Sequence, residues 1–403
     1  MAGSTNSNVR RRKKSRKKSK VIIFAVEILL ILIMLIILYV VMTKGGKGPQ
    51  VVKLDESDLG INESVKNNNA SQTGSNTSVA DPGAIKDSGY MNIALFGVDA
   101  TTPNGLYKGS RSDSTMIASI NMDTGDIKLV SVYRDTYLNL STDEYNKCCH
   151  AYAGGGAEQA IKMLNMNLDM DITNFITVNY QSLIDLIDGL GGIYIDVNKT
   201  ELSHINNYQA TIVKDLNIKN GYTPVTTTGF QKLNGLQATA FCRIRYIDGG
   251  DFGRASNQRE VIKAIEEQAK KADLSTLLDA FHAVESDIYT SFQADDIVSL
   301  ISQISKYKIV DENGFPQEDD RSVKNMGAKG SCVVPEDLEK NVQWLHEFLF
   351  GEENYAVTRT VKDYSKFNMA GFNAEHKKAH HEKQFPLDLE KARQMGIELV
   401  RLA

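Results

Sequence analysis

The alternation of apolar and polar positions divides the chain into stretches of different pattern. Residues 21–43, VIIFAVEILLILIMLIILYVVMT, are apolar almost without interruption and about long enough to cross the hydrocarbon core of a bilayer as one helix. Residues 44–88 are rich in Gly, Asn, Ser, Asp and Lys, and the segment NNNASQTGSNTS reads as a low-complexity tether. Ordered patterning begins near Met91. NIALFGV is a short apolar run that stops at Asp99 and a Thr/Pro/Asn/Gly loop, which predicts a buried strand. STMIASINM and DIKLVSVY predict two more strands joined across DTGD, a hairpin-type turn. GGGAEQAIKMLNMNL predicts a helix opening from a glycine-rich loop. FITVNY predicts a strand, QSLIDLIDGLGG a short helix closed by glycine, and IYIDVN another strand.

Residues 199–229 read as polar and irregular. LNGLQATAFCRIRY starts as a helix and passes into a strand or loop at its arginines. ASNQREVIKAIEEQAKKA is amphipathic, with Val261, Ile262 and Ile265 on one face. Further helices are predicted around LSTLLDAFHAV, ADDIVSLISQIS and PEDLEKNVQWLHEFLF; from about Val361 onward the chain is mostly charged. Strands interleaved with helices predict an α/β fold: an α-β-α layered mixed sheet flanked by helices, preceded by one transmembrane helix. The expected partition is a basic tail at 1–20, the transmembrane helix at 21–43, a flexible linker at 44–88, the folded domain at 89–362 and a polar extension at 363–403.

Charge adds a direction. The run RRRKKSRKKSK holds nine basic residues and sits immediately before the apolar span, with no acidic residue in the first twenty. The positive-inside rule then leaves the N-terminus in the cytoplasm and everything after residue 43 outside. A cleaved signal peptide is the competing reading, but the apolar stretch is too long for a signal core and TKGGKGPQ offers no small-residue cleavage site. Of the 46 Lys and Arg, the 37 beyond that run face 50 Asp and Glu. So acidic a body does not suit nucleic-acid binding through phosphates. The cysteines Cys148, Cys149, Cys242 and Cys332 show no metal-type spacing, and either inert thiols or one bridge is compatible with them.

Serine-nucleophile elbows, zinc-ligand pairs and phosphate-binding Walker loops are absent from the sequence. What remains is a set of arginines and aspartates at the ends of apolar segments. Asp99 ends the first strand, Arg111 and Asp113 lie in RSDS, and Arg134 and Asp135 end the third strand. Arg243 and Arg245 form R-I-R, Asp251 and Arg254 lie in DFGR, and Gln258 and Arg259 follow. Guanidinium forks bind phosphate oxygens in pairs, and two nearby carboxylates suit Mg²⁺ shared with a phosphate. On residue types alone, a pyrophosphate or sulfate site and ordinary strand-end ion pairs both remain open. If R-I-R is extended, both arginines share a face; if helical, they diverge.

Taken in order, NIALFGVD, RSDS, SVYRD, HAYAGGG, DGLGGIYIDV, LNGLQATAFCRIR and DFGRASNQREVI resemble the signature blocks of the LytR-CpsA-Psr family, over roughly residues 90–310 with a weaker continuation to about 362. The resemblance implies an α-β-α fold with a deep apolar pocket for a polyprenyl chain and phosphates among arginines at its mouth. It implies Mg²⁺, with Mn²⁺ as an alternative, at Asp99 and Asp113. It implies pyrophosphate contacts at Arg111, Arg134, Arg243, Arg245, Arg254 and Gln258, with Asp251 opening the last block. The implied activity is that of a membrane-anchored, outward-facing phosphotransferase, which moves a glycopolymer from an undecaprenyl-pyrophosphate carrier to a peptidoglycan sugar hydroxyl. A non-catalytic lipid-pyrophosphate binder and a pyrophosphatase acting on the same lipid share these residues. Three positions depart from the family pattern: Tyr133 where proline is commoner, Cys149-His150 where an asparagine is typical, and Asn257-Gln258 in place of an R-Q pair. Little effect is expected at Tyr133, the asparagine's polar contact is not expected from Cys149-His150, and the change at Asn257-Gln258, with Arg259 following, is expected to weaken one anion contact or shift it by a residue or two. Phe175, Ile176, Val178, Leu183, Ile184 and Ile187 are the apolar residues offered for the pocket.

Overall fold

The computed structural model describes residues 48–66, 85–86, 88–100, 103–246 and 249–370. The basic tail, the predicted transmembrane helix 21–43 and the histidines His376, His380 and His381 lie outside them. In chain order the strands are β1 (Gln50–Val51), β2 (Tyr90–Val98), β3 (Ser112–Asn121), β4 (Asp126–Val132), β5 (Tyr137–Asn139), β6 (Tyr145–Lys147), β7 (Asn174–Val178), β8 (Ile193–Val197), β9 (Gly229–Leu233), β10 (Tyr289–Thr290), β11 (Lys308–Phe315), β12 (Arg321–Asn325) and β13 (Ser331–Pro335). The helices are α1 (Cys149–Leu168), α2 (Tyr180–Gly189), α3 (Lys199–Asp215), α4 (Gly235–Phe241), α5 (Asp251–Ala269), α6 (Leu274–Val284), α7 (Ala294–Ser302), α8 (Leu338–Phe350) and α9 (Arg359–Ala370).

Seven strands form one sheet in the order β1-β10-β7-β2-β3-β4-β11. It is mixed: β2 and β3, and β3 and β4, pair antiparallel, whereas β7 and β2, and β4 and β11, pair parallel. Strand alternation divides the core between its two faces. Ala94, Phe96 and Val98 pack with Ile117, Val130 and Val132 against Tyr152 and Leu164 of α1, Leu345 of α8 and Val361 of α9. Met91 and Ile93 point the other way, into a cluster with Ala118, Ile120, Leu129 and Phe292 that Ile262 of α5 and Ile297 and Leu300 of α7 cover. The predicted α-β-α layering is therefore the observed one.

Several expectations are corrected. Residues 48–66 are not tether: β1 adds to the sheet edge beside β10, and Leu54, Leu59, Ile61 and Val65 are buried in the main core. The Leu59 carbonyl accepts from Asn165 Nδ2 at 3.0 Å. These apolar residues are irregularly spaced among polar ones, so they form no period, yet each fills a place on the α1 side. Residues 199–229 are not irregular throughout, because α3 occupies 199–215. Asn198 and Glu201 close a capping box at its start, and Ile205 and Ile212 face the core. The helix α1 begins five residues before its glycines, which break it with a kink at Gly155 and Gly156. Gly156 has φ +69°, and a Cβ there would collide with the Tyr107 carbonyl. The domain also runs past residue 362: α9 continues to Ala370 and buries Ser365 as well as Val361. Strands β11 to β13 were not anticipated, since KIVDENGF and RSVKN carry charge at many exposed positions. All four cysteines are buried free thiols.

If the segment 48–66 belongs to the folded unit, Leu59→Ala should cost about 2–5 kcal/mol, the range for emptying a fully buried leucine site. Urea denaturation of the full chain reads this directly, and a midpoint equal to wild type would return the segment to the linker.

Candidate functional site

β2, β4 and β7 run in one direction and β3 in the other. The ends of β2, β4 and β7 and the start of β3 therefore meet at one end of the sheet. Ligands of open α/β sheets bind outside the carboxyl ends of strands, and this is where the sheet delivers Asp99, Asp113, Arg134 and Tyr180.

Asp113 is the meeting point. Its Oδ1 accepts from Arg134 Nε at 2.8 Å and its Oδ2 from the Tyr180 hydroxyl at 3.0 Å. Burial pushes the Asp113 carboxyl up, but the charges of Arg254 and Arg134, the Tyr180 hydrogen bond and the charge of Arg245 outweigh it and hold the group below its ordinary value. Asp99 moves the other way. Partial desolvation and the neighbouring Asp113 charge raise it, against the Arg111 backbone, Arg111 and Arg134. Among the described residues, no group of three or more His, Cys, Asp and Glu side chains is arranged to hold a metal.

A cavity of about 550 Å³ opens from this point into the space between the sheet, α2, α4 and α5. Its inner wall is apolar, with Leu95, Met116, Ile176, Val178, Leu183 and Leu186 among its residues. Its polar residues include Asp113, Tyr180, Arg243, Arg245, Arg254 and Gln258. The helix α5 supplies both characters from one stripe. Arg254 and Gln258 lie one turn apart, and Val261, Ile262 and Ile265 continue the same wall. Arg254 is only 3% exposed and is held by Asp251 Oδ1 at 2.6 Å.

The R-I-R segment leaves α4 through a turn, in which the Arg243 N–H donates to the Ala240 carbonyl at 3.1 Å and the Ile244 N–H to the Phe241 carbonyl at 3.3 Å. Arg243 and Arg245 both line the cavity, while Ile244 is fully buried in the core. The Arg243 guanidinium stacks on the Tyr180 ring at 4.5 Å and approaches Asp215 of α3 at 3.6 Å. The Arg245 backbone N–H donates to the Tyr208 hydroxyl at 3.3 Å.

Most residues singled out in the sequence thus converge, with qualifications. Arg111 and Asp99 are exposed and do not line the cavity, although the Arg111 charge acts on Asp99, and Arg134 is joined to the cavity through Asp113. Asp251 is not on the wall either; it reaches the site through Arg254. Arg259 turns to the opposite side of α5, donates to Ser131 Oγ at 2.9 Å and approaches Glu312 at 3.6 Å, whereas Gln258 faces the cavity. Of the six apolar residues offered for the pocket, Ile176, Val178 and Leu183 line it. Phe175, Ile184 and Ile187 are core, because they face away on β7 and α2. Tyr180 is the residue that pattern reading missed. The available signal was an aromatic set directly after a strand end and its Asn179 cap, a position that faces a ligand crevice.

A family model described as the LytR_cpsA_psr family matches residues 52–337, well over half of the chain. The polyisoprenyl-teichoic acid–peptidoglycan teichoic acid transferase TagU of Enterococcus faecalis is 30% identical over 213 residues, which are 52% of this chain and 64% of that protein. The protein of the same name from Bacillus mycoides is 33% identical over 219 residues, 54% of this chain and 65% of that one. The chain thus spans just under two thirds of the length of these curated relatives. Among solved structures, that of protein gbs0355 from Streptococcus agalactiae superposes with a TM-score of 0.55 at 26% identity, covering 68% of this chain and 92% of that one.

One prediction concerns the far side of α5. Burial and then the charges of Glu201, Asp196 and Glu312 push the Glu260 carboxyl up to about 7. A carboxyl raised by folding binds its proton more tightly in the native state. Its penalty is therefore absent below the ordinary carboxylate range and grows as pH rises through about 7. Glu260→Gln should be neutral near pH 4 and more stable than wild type near pH 8. Urea midpoints at the two pH values test this; an equal shift at both would mean that the carboxylate charge is not the cause.

Proposed function

Because the chain belongs to the LytR_cpsA_psr family, we propose that it is an outward-facing, membrane-anchored phosphotransferase that moves a teichoic-acid-type glycopolymer from a polyprenyl-pyrophosphate carrier, of the undecaprenyl class, to a sugar hydroxyl of peptidoglycan. The observation that carries this reading is the cavity itself: an apolar chamber whose mouth gathers arginines around a paired carboxylate. A prenyl chain suits the chamber, and a pyrophosphate suits the mouth. The relatives named as teichoic acid transferases support the choice of polymer class. Anchorage by residues 21–43 and a body outside the membrane rest on the apolar span and the basic run before it.

In this reading each group has a task. Leu95, Ile176, Val178 and Ile262 bury the prenyl chain and exclude water. Arg134, Arg243, Arg245 and Arg254, with Gln258, bind the phosphate oxygens and stabilise charge as the bond to the lipid phosphate breaks, and Arg111 adds its charge at the entrance. Asp251 keeps Arg254 in place. Asp99 and Asp113 would hold Mg²⁺. The fit is that of hard carboxylate oxygens, Asp99 being raised first by burial and then by the Asp113 charge, a state that a dication would relieve together with phosphate oxygens. When bound, Mg²⁺ would neutralise phosphate charge and polarise the phosphoryl oxygens. The acceptor hydroxyl forms its new bond to the sugar-side phosphorus, the bridging P–O bond breaks, and polyprenyl phosphate leaves, with the hydroxyl proton ending on the leaving phosphate or in water.

The test is to incubate the full chain, in detergent micelles with MgCl₂, with a short polyprenyl-pyrophosphate-linked glycan and peptidoglycan oligomers, and to identify products by mass. A phosphodiester-linked conjugate is expected. Asp113→Ala and Arg243→Ala should each slow its formation by the equivalent of about 2–4 kcal/mol in the barrier. Free glycan phosphate without conjugate would indicate hydrolysis instead, and intact substrate co-purifying with the chain would indicate a binding module.

A further inference from the structure

Two side chains beside the site arginines face away from the cavity and toward each other. Tyr133 directly precedes Arg134, and Phe252 lies between Asp251 and Arg254 at the start of α5. Their rings meet edge to face, with centroids 4.6 Å apart at 76°. One guanidinium covers both. Arg321, the first residue of β12, sits 4.0 Å from the Phe252 ring and 5.0 Å from the Tyr133 ring. Its Nη1 donates to the Tyr133 hydroxyl at 3.2 Å and to the Pro316 carbonyl at 3.1 Å. Gly314 leaves the room this requires, since a Cβ there would collide with the Tyr133 ring and hydroxyl.

The backbone docks in the same place. The Val333 N–H donates to the Asp135 carbonyl at 2.9 Å, and Thr136 forms a parallel bridge with Val333. The β12–β13 hairpin is thus fastened to the turn that carries Arg134 by main chain on one side and by Arg321 on the other. Arg321 forms no ion pair with a carboxylate among the described residues. Its charge is spent on two aromatic faces while Nη1 makes both hydrogen bonds, and a planar guanidinium that stacks on rings as it donates is not reproduced by a compact, strongly hydrated lysine ammonium. Tyr133, where the family resemblance suggested little consequence, is the residue that makes this clamp available.

We propose that Arg321 is a positioning residue: by clamping Tyr133 and Phe252 together it sets the spacing between Arg134 at the end of β4 and Arg254 on the first turn of α5. A second tie between these elements, Arg259 to Ser131, lies further along the helix and does not fix its first turn. A pyrophosphate held by guanidinium forks tolerates little displacement of the donors, so a loosened clamp weakens phosphate binding while leaving the apolar chamber intact. The inference rests on the pyrophosphate reading above and deepens it, making the C-terminal hairpin a working part of the mouth.

The experiment titrates the full chain in detergent micelles with MgCl₂ by calorimetry, using geranylgeranyl pyrophosphate and geranylgeraniol, which carry the same prenyl chain with and without phosphates. Wild type should prefer the pyrophosphate. Arg321→Met should lose roughly tenfold in pyrophosphate affinity and nothing for the alcohol, with Arg321→Lys between the two. Tyr133→Phe, which keeps both rings and removes one hydroxyl, should show a smaller loss of the same kind with the fold undisturbed. Unchanged pyrophosphate affinity in Arg321→Met overturns the proposal, and so does an equal loss for both ligands, which would be a general loosening. A wild type that does not distinguish pyrophosphate from alcohol refutes the functional reading itself, whatever the variants do, and the proposal falls with it.

Discussion

The two carboxylate oxygens of Asp113 accept from groups on two different segments, Arg134 after β4 and Tyr180 at the start of α2, and its charge is felt by Arg254 on α5 and Arg245 after α4. Together with Asp251 on Arg254, Asp135 on Arg134 and Asp215 near Arg243, that charge lets several guanidinium groups share a partly buried mouth. Each buried ion costs several kcal/mol of lost hydration, and like charges packed together add repulsion. Desolvation alone would raise Asp113, so its depressed state means that the surrounding cations more than offset burial. The balance is mutual: the carboxylate makes the arginine cluster tolerable, and the cluster keeps the carboxylate ionised. Tyr180 joins both signs in one side chain, its hydroxyl on Asp113 and its ring under Arg243.

Everything further out serves to hold that cluster at the end of an apolar chamber. α5 does so by a change of character along one face, from Arg254 and Gln258 to Val261, Ile262 and Ile265. The same helix fastens its other sides to the fold, through Arg259 against Ser131 of β4. The next residue, Glu260, is pushed up to about 7 by burial and by the carboxylates around it, Glu201 first. The fold thus accepts an unfavourably placed carboxylate to keep α5 seated, as a helix that must present a fixed polar end to a ligand has little freedom to turn.

The strands β2, β3, β4 and β7 were legible because each is an apolar run bounded by polar or glycine-containing turns, and the aspartates and arginines stood out as interruptions at their ends. The shared facing of the R-I-R arginines was not legible in this way: they line one cavity with Ile244 buried between them, yet the segment leaves α4 through a turn and not as a strand. Other features lacked a local signal. Leu54, Leu59 and Ile61 are buried one at a time by α1, without a period that could announce them. β11 pairs parallel with β4 at the sheet edge, where alternating exposure permits the charged residues of KIVDENGF, so tertiary pairing rather than composition makes it a strand. α3 was readable in hindsight: the Asn198–Glu201 capping box and Leu202, Ile205, Ile212 and Leu216 follow helical spacing, diluted by polar neighbours. Tyr180, Tyr133 and Phe252 were not readable as a set, because their roles arise only where α2, β4 and α5 meet.

The cavity combines two kinds of recognition that are weak apart. An apolar chamber alone would accept many alkyl chains, since burying a methylene stabilises by about 0.8 kcal/mol whatever molecule it belongs to. A cluster of arginines alone would accept many polyanions. Here the remainder of the chain is acidic, with 37 basic residues against 50 acidic ones beyond the N-terminal run, so the arginines at the mouth are a local concentration of positive charge. A ligand gains from both halves only if its anionic group sits at the end of an apolar chain, and only if that group can reach Arg243, Arg245 and Arg254 while the chain enters between α2 and α5. Specificity then comes from the fixed distance between the two halves, and that distance is set by the strand ends, by α5 and by the groups that hold the arginines from behind.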